Sequence, residues 1–257
     1  MDLDLENKCA LVTGGSGGIG AEIALTLAKE GCDIILVARS EAGLAQTAAR
    51  IRDSSDRKIT TSLCDTRDAI AIKKLSDQHH DIDIVINNAG AVPAGRLNDL
   101  TTEGIRVGWE AKVFGYLKMM ECFYAKMKEN ERGVIINIVG MAGLRVNADV
   151  IGLTGGNAAL LAMTRALGAQ SPEHGIRVLG VNPSATSTER AIQLWRDQAQ
   201  RELGESERWP ELLKTLPFGR PAAPQDIANV VAFLASPRAG YVSGSFVNVD
   251  GGMGSRP

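Results

Sequence analysis

The sequence predicts an α/β fold in which a parallel sheet is covered by helices on both faces. Short apolar runs alternate along the chain with longer amphipathic stretches, which is the order of strands and helices in such folds. The short runs are apolar at nearly every position, as in strands that are buried on both sides. The 257 residues show no linker and no internal repeat, so we predict one domain that spans residues 1–257.

The predicted elements follow one another in a regular order. The first strand ends in glycine, and the next helix places Ile19, Ile23 and Leu27 on one face before Gly31 ends it. The predicted strands cover residues 8–13, 34–37, 58–63, 82–86, 133–138, 176–181 and about 246–249. The predicted helices cover residues 18–30, about 41–52, a stretch from about 67, about 102–128, about 154–170 and 224–235.

Composition and charge exclude several classes of partner. A formal net charge of −2 provides no basic surface, so we expect no nucleic-acid partner. No run approaches the ~20 apolar residues of a membrane span, and the acidic start M-D-L-D-L-E-N-K is unlike a signal peptide. We therefore expect a cytoplasmic protein without a membrane partner. The four cysteines are far apart and the three histidines lie in turns or between elements, so we predict no metal site.

Four motifs stand at the ends of predicted strands. The run T-G-G-S-G-G-I-G at residues 13–20 follows the first strand, where glycines allow a tight turn and let a phosphate reach the N–H groups of the next helix. The others are N-N-A-G at residues 87–90, N-I-V-G-M-A-G at residues 137–143 and V-D-G-G at residues 249–252. This ordered set resembles the short-chain dehydrogenase/reductase family over nearly the whole chain.

The resemblance implies a Rossmann-like, doubly wound parallel sheet of about seven strands that binds a nicotinamide dinucleotide. It assigns to Asp65 a hydrogen bond from the adenine amino group, and to Ala89 and Gly90 a close approach of the adenine ribose. The residues that it places at the cofactor are Gly14, Ser16, Gly18, Ile19, Gly20, Arg39, Asp65, Thr66, Asn87, Ala89, Gly90, Pro183, Ser184, Thr186 and Thr188.

The end of the second strand bears on the choice of cofactor. A carboxylate there would bind both ribose hydroxyls and repel a 2′-phosphate, but the chain has the neutral Ala38 followed by Arg39. A guanidinium suits a 2′-phosphate, so NADP is favoured over NAD. Gly17 stands where many NADP-using relatives have a second basic residue, and this keeps NAD open as the alternative.

The residues that carry out catalysis in the resembled family are replaced in this chain. In the family a Ser, a Tyr and a Lys transfer the proton, supported by an Asn. Alignment on residues 137–143 places Gly140 at the serine, Leu153 at the tyrosine and Asn157 at the lysine, and K-V-F-G at residues 112–115 places Lys112 at the asparagine. Leucine cannot donate or accept a proton, so the usual general acid is absent.

Lysine and asparagine have exchanged places, which suggests a rearranged site. We predict that Lys112 and Asn157, with Tyr116 one helical turn beyond Lys112, form a new polar site. Alternatively, Lys112 extends to solvent and Tyr116 packs at a helix–helix subunit contact. Arg145 and Asp149 could orient an acidic substrate, or they could form a solvated turn pair.

Residues 189–216, here called the lid segment, break the alternation of elements with a charged, amphipathic helical stretch that holds Trp195 and Trp209. In the resembled family this segment is the substrate lid, whereas the plain alternative is a surface helix pair with its aromatic residues turned inward. Three functions remain open: a divergent oxidoreductase that uses NADP(H) or NAD(H) on an unknown small molecule, a catalytically silent nucleotide-binding protein, and a non-redox enzyme. The resemblance implies a homotetramer or homodimer.

Overall fold

The computed structural model describes residues 1–256 and contains one sheet of seven parallel strands. The spatial order of the strands is β3-β2-β1-β4-β5-β6-β7, so the chain winds in one direction from β1 to β3 and then in the other from β4 to β7. The strands are β1 Cys9–Thr13, β2 Asp33–Ala38, β3 Ile59–Leu63, β4 Ile84–Asn87, β5 Gly133–Ile138, β6 Ile176–Pro183 and β7 Phe246–Val249. The predicted fold class is thereby confirmed.

The described chain has eight α-helices. They are α1 Gly18–Lys29, α2 Glu41–Arg52, α3 Ala69–Gln78, α4 Thr102–Trp109, α5 Gly115–Glu129, α6 Ile151–Gln170, α7 Glu189–Leu203 and α8 Pro224–Ala235. Of these, α1, α2, α3, α5, α6 and α8 pack on the two faces of this sheet. Side chains of neighbouring strand residues point to opposite faces. Ala10 and Val12 of β1 accordingly join a core cluster with α1, α2 and α8, whereas Leu11 joins a second cluster with α3 and α5.

The predicted long helix over residues 102–128 is interrupted. Between α4 and α5, residues Glu110–Phe114 form a π-helical segment, and Lys112 lies in its middle. Such single-turn widenings of a helix are frequent at functional sites. Propensity and periodicity carry no signal for this irregularity, because α4, the π segment and α5 continue one another without a break in hydrophobic pattern.

The lid segment folds back on itself. Helix α7 packs chiefly against a 3₁₀-helical stretch, Ser206–Leu213, and the rings of Trp195 and Trp209 stack with centroids 5.7 Å apart at an interplanar angle of 17°. The segment is therefore helical, as predicted, and its aromatic rings contact each other.

Strands β1 and β4 are neighbours in the sheet although the chain leaves them in opposite directions. At such a switch point the loops after the two strands separate, and a crevice opens at their carboxyl ends.

No helix within residues 1–256 combines the length and the apolar character that a bilayer crossing requires.

Candidate functional site

Two adjoining cavities occupy the crevice at the carboxyl ends of the strands. The smaller, about 400 Å³, lies over the ends of β2 and β3, and the larger, about 770 Å³, lies over the ends of β5 and β6. Both open above the turn between β1 and α1. The residues that line both cavities are Gly14, Ser16, Ala89, Gly90 and Arg190.

The glycine turn forms the floor between the cavities. Gly14 has φ of 67° and Gly18 has φ of 55°, values that L side chains rarely adopt. A side chain on Gly20 would overlap the carbonyl oxygen of Gly14, which explains why α1 can approach β1 so closely. No side chain caps the N-terminus of α1, and no acidic residue stands in its first turn. Its first N–H groups therefore face the crevice without a side-chain acceptor.

The N-N-A-G motif connects three strands beneath the cavities. The hydroxyl of Thr13 accepts hydrogen bonds from the N–H groups of Asn88 (2.9 Å) and Ala89 (3.1 Å), and the Asn88 amide donates to the Thr13 carbonyl at 3.1 Å. The Asn87 amide donates to Asn137 Oδ1 at 2.8 Å, which ties β4 to β5. Asn88 thus makes two of the hydrogen bonds that join the ends of β1 and β4, and sequence analysis did not give this residue a role.

The smaller cavity is lined by basic and acidic side chains together. Arg39 is exposed at the end of β2 and faces this cavity, as does Thr66. The Asp65 carboxylate is bound by Arg67, with Nε 3.0 Å from both oxygens and Nη2 2.5 Å from Oδ2. The hydrogen bonds from Arg67 lower the pKa of Asp65. Asp65 therefore stays ionised, and its negative charge is balanced by the positive charge of Arg67. Arg39 provides an additional positive charge.

Lys112 lies at the wall of the larger cavity and is only 8% exposed. Its Nζ lies 3.4 Å from the carbonyl oxygen of Ile138 and 5.6 Å from the centre of the Tyr116 ring, and no carboxylate pairs with it among residues 1–256. Burial lowers the pKa of Lys112 from 10.5 to about 8. The interpretation that Lys112 extends to solvent is wrong, because the side chain turns inward.

Tyr116 is buried inside the chain. Its hydroxyl donates to the same Ile138 carbonyl at 3.1 Å, and its ring packs with Val139, Leu160 and Leu161. Burial raises the pKa of Tyr116 well above its ordinary value, so the phenol stays protonated. The expectation that Tyr116 packs at a subunit contact is wrong, and the structure also does not place Tyr116 at the cavity surface.

Asn157, Gly140 and Leu153 line the larger cavity together with Lys112. Asn157 is buried, its Nδ2 lies 3.4 Å from the Gly140 carbonyl oxygen, and its Oδ1 has no hydrogen-bond partner within the described chain. Gly140 has φ of 114°, and a Cβ there would stand 3.2 Å from Asn157 Nδ2. The structure thus brings the predicted pair Lys112 and Asn157 to one cavity.

The turn after β6 borders the larger cavity on its other side. Pro183, Ser184 and Thr188 line it, whereas Thr186 is buried and its hydroxyl donates to the Ser184 carbonyl at 3.0 Å. Thr188 is the N-cap of α7, where its hydroxyl accepts from the Ala191 N–H at 3.2 Å.

The Arg145–Asp149 turn pair does not form. Arg145 Nη1 lies 3.5 Å from the Met253 carbonyl oxygen, and Asp149 instead pairs with Arg96, with Nε 2.5 Å from Oδ1. Arg145 and Asp149 are four residues apart, which placed them in one loop, but this spacing gave no information on Arg96, which is fifty-three residues away from Asp149.

Most of the proposed cofactor residues lie on the cavity walls. Gly20, Asn87 and Thr186 lie behind that surface and support it. Sequence analysis missed Arg67, Asn88 and Arg190. Arg67 follows Asp65 by two residues, and Arg190 stands in the first turn after the motif N-P-S-A-T-S-T at residues 182–188, so both had a positional signal that was not used. No cluster of potential metal ligands occurs within residues 1–256, and the four cysteines are free.

Comparison with known proteins identifies the family. Residues 14–254 match the family model described as enoyl-(acyl carrier protein) reductase. The chain belongs to the short-chain dehydrogenase/reductase family. It is 30% identical over 252 residues to the 3-oxoacyl-(acyl-carrier-protein) reductase of Escherichia coli strain K12, covering 98% of this chain and 99% of the relative. It is 29% identical over 255 residues to the 7alpha-hydroxysteroid dehydrogenase of the same organism, covering 98% of this chain and 96% of that one.

Solved structures of short-chain dehydrogenases/reductases share the whole architecture. The L-sorbose reductase of Gluconobacter frateurii, solved with NADPH and L-sorbose, superposes with a TM-score of 0.94 at 26% identity, with 100% of both chains covered. An actinorhodin polyketide ketoreductase with NADPH superposes with a TM-score of 0.91 at 29% identity, covering 97% of this chain and 98% of that one. The chain is therefore an oxidoreductase of the short-chain dehydrogenase/reductase type by family and by fold.

Proposed function

We propose that the protein is a divergent oxidoreductase that uses NADP(H), in preference to NAD(H), on a small-molecule carbonyl or alcohol, with Lys112 in place of the family's tyrosine as the proton donor. The observation that carries this proposal is Lys112 itself: a buried lysine without a carboxylate partner in the described chain, at the wall of the larger cavity. A buried, unpaired cation destabilises a fold, and such groups are found mainly where function requires them.

The crevice fits a dinucleotide. Gly14, Gly17 and Gly18 leave the turn before α1 without side chains, and a Cβ on Gly17 would meet nothing within 4 Å. The phosphates would lie at the uncapped N-terminus of α1, with Ser16 and Ile19 beside them. The adenosine half would occupy the smaller cavity with Asp65, and the nicotinamide half would occupy the larger one.

The charges at the smaller cavity support the preference for NADP. Arg67 neutralises Asp65, so Arg39 meets an incoming 2′-phosphate without a competing free carboxylate nearby. A guanidinium binds such a phosphate through two parallel hydrogen bonds. L-sorbose reductase and the actinorhodin ketoreductase were solved with NADPH, whereas a 7alpha-hydroxysteroid dehydrogenase was solved with NADH, so both nucleotides occur among the relatives.

Bound NADPH would supply a hydride to the carbonyl carbon of the substrate. The oxygen of that carbonyl must then receive a proton, and the Lys112 ammonium is placed to donate it. With a pKa of about 8, Lys112 is mostly protonated at neutral pH and is still acidic enough to transfer a proton readily. The resulting neutral amine would regain a proton from water in the cavity. Oxidation of an alcohol is the reverse, with neutral Lys112 accepting the proton.

Asn157 and Leu153 would shape the space around the reacting group. The Oδ1 atom of Asn157 is an acceptor without a donor, and a small shift of the side chain would let it accept from a substrate hydroxyl or from Lys112. Leu153 replaces a hydroxyl group with an apolar surface and excludes water from the same wall. The roles are thus divided between a proton donor on the π segment and a positioning amide on α6.

Gly140 favours a second candidate, a catalytically silent nucleotide-binding protein. Its φ of 114° is unfavourable for serine, so this position as it stands disfavours the polarising serine hydroxyl of the resembled site. This observation gives no support to the third possibility, a non-redox enzyme.

A two-step experiment separates these functions. Titration with NADPH and NADH comes first, since failure to bind either would exclude both nucleotide-dependent candidates. Turnover is then followed at 340 nm with a panel of ketones, aldehydes and alcohols, for the native protein and for Lys112→Gln. Turnover that Lys112→Gln lowers by about 10²–10⁴ supports Lys112 as the acid. Nucleotide binding without turnover on any member of the panel supports the silent protein.

A restored variant provides the complementary test. It combines Gly140→Ser, Leu153→Tyr and Asn157→Lys with Lys112→Asn. Activity that appears only in this variant would show that the native protein is not an ordinary reductase.

We also propose that the chain forms a homodimer or homotetramer. Phe114 and Leu117 are exposed on the π segment and α5, and Phe233 and Tyr241 are exposed near the C-terminus. Four large apolar side chains in two groups are typical of surfaces that pair with a second copy. Light scattering on Phe114→Glu and Tyr241→Glu, compared with the native protein, tests the two surfaces separately.

A further inference from the structure

Arg190 is the charged side chain that the two cavities share. The other residues that line both cavities are glycines, an alanine and Ser16. A side chain common to both cavities stands over the boundary between them. In a dinucleotide, the pyrophosphate joins the two nucleosides, so it must cross this boundary.

The start of α7 holds Arg190 close to the glycine turn. Thr188 caps α7, and a Cβ on Gly18 would lie 3.2 Å from Thr188 Cγ2, so the start of α7 is in direct contact with the glycine turn. Arg190 is the second residue of α7 and lies within its first turn. It therefore lines both cavities from the α7 side, next to the N-terminus of α1.

Arg190 is exposed and makes no ion pair within residues 1–256. Two other arginines of the lid segment are paired with acidic residues, Arg196 with Glu207 at 3.4 Å and Arg208 with Glu211 at 2.8 Å, whereas Arg201 makes no ion pair within residues 1–256 but lines neither cavity. Glu189 lines the larger cavity beside Arg190 and does not line the smaller one. The arginine that faces both cavities is thus available for a ligand.

The ligand that this geometry suits is an anion at the junction of the cavities. A pyrophosphate diester carries two negative charges and offers paired oxygens to the planar fork of a guanidinium. We propose that Arg190, at the start of α7, binds the pyrophosphate of the dinucleotide at the junction of the two cavities and thereby ties the lid segment to the bound nucleotide. This inference rests on the proposed function, because it requires that a dinucleotide binds.

The two helical parts of the lid segment pack against each other, so we expect them to move together. Helix α7 and residues Ser206–Leu213 pack chiefly against each other, with Trp195 and Trp209 stacked between them. An anchor in the first turn of α7 therefore restrains the whole helical pair. The nucleotide would then order the lid segment, whose first residues Glu189 and Arg190 line the larger cavity, before substrate binds.

The test compares Arg190→Ala and Arg190→Lys with Arg201→Ala. Arg201 is exposed in the last turn of the same helix and lines neither cavity, so it controls for the loss of a positive charge on α7. We expect Arg190→Ala to bind NADPH and NADH roughly tenfold to hundredfold more weakly, by the same factor for both, because a charge-assisted hydrogen bond to the shared pyrophosphate is lost. Arg190→Lys should retain part of the affinity, and Arg201→Ala should bind as the native protein does.

Two further measurements identify the contact. Adenosine 2′-monophosphate has no pyrophosphate, so Arg190→Ala should bind it with unchanged affinity. Hydrogen exchange over residues 189–213 should slow when NADPH saturates the native protein, and should slow much less in Arg190→Ala at saturating NADPH. Equal nucleotide affinities in Arg190→Ala and the native protein would overturn the inference, as would a loss confined to NADPH. If the native protein binds neither NADPH nor NADH, the proposed function itself is wrong, and the inference about Arg190 is wrong with it.

Discussion

The substitution Lys112→Met tests whether a buried charge is retained at the expense of stability. Lys112 has a pKa of about 8 instead of 10.5, and at about 1.4 kcal/mol per pKa step this difference corresponds to about 3 kcal/mol of destabilisation while the lysine is charged. Methionine has a similar length and fills irregular space well. The Ile138 carbonyl keeps its hydrogen bond from Tyr116, so the substitution leaves no unpaired acceptor there.

The net gain from Lys112→Met follows from these terms. The lost contacts are a long hydrogen bond of 3.4 Å and a cation–π contact of 5.6 Å, which together stabilise by about 1 kcal/mol. We therefore expect the variant to be more stable than the native protein by about 2 kcal/mol at pH 7.

The pH dependence of this gain distinguishes a charge effect from a packing effect. The folded-state pKa is lower than the unfolded one, so the destabilisation is fully present below pH 8 and is lost between about pH 8 and 10.5, because there the folded protein has released the Lys112 proton while the unfolded chain still holds it. Urea denaturation of both proteins at pH 7 and pH 10 measures it. The control is Lys128→Met at an exposed lysine of α5, which should change the free energy of unfolding little at either pH.

Two results would refute this reasoning. If Lys112→Met is no more stable at pH 7, the buried ammonium does not destabilise the fold. If the gain is the same at pH 7 and pH 10, it comes from packing and not from charge. A stabilised variant with unchanged turnover would keep the electrostatic argument but remove Lys112 from the proposed chemistry.

Four further outcomes follow from the cavity walls. The rate of carbonyl reduction should fall as pH rises through about 8, while the rate of alcohol oxidation should rise, and rate profiles from pH 6 to 10 measure both directions. Gly17→Arg should strengthen the binding of NADPH but not of NADH, because Gly17 is extended with open space beside it and the added positive charge can reach a 2′-phosphate. Arg39→Ala should weaken the binding of NADPH alone. Fluorescence titration with each nucleotide measures both effects. Gly140→Ser should lower the free energy of unfolding by about 1–3 kcal/mol in urea because of its positive φ, and Gly17→Ser is the unstrained control. Gly20→Ala should abolish nucleotide binding or destabilise the fold strongly, since its Cβ overlaps the Gly14 carbonyl, and calorimetry with NADPH distinguishes the two results.

The fold could be predicted almost completely because each signal is local. Apolar runs marked most strands, although β3 is the mixed sequence I-T-T-S-L, and the predicted bounds of α2, α8, β5 and β7 agree with the observed ones. The positions of the glycine turn and of N-N-A-G could be predicted for the same reason: each directly follows a strand. Strands that are parallel in one sheet end at the same edge, so the motifs meet there without any further information.

The details of the site depended on contacts between distant residues. Whether Lys112 faces solvent or cavity is decided by the π segment and by the Ile138 carbonyl, twenty-six residues away. The partner of Asp149 is Arg96, which belongs to the loop after another strand. Helical spacing relates residues on one helix, and it contains no information about what packs against that helix.

The backbone at Gly140 bears on the proposed site of Lys112 and Asn157. Gly140 adopts a φ of 114° that only glycine tolerates well, and its carbonyl accepts from the amide of Asn157. Asn157 in turn leaves Oδ1 without a donor, and Lys112 keeps a charge that the fold would be more stable without. The buried charge of Lys112 and the unpaired Oδ1 of Asn157 both lower the stability of the fold, and both lie on the walls of one cavity. A ligand group that accepts a hydrogen bond from Lys112 and donates one to Asn157 would satisfy both.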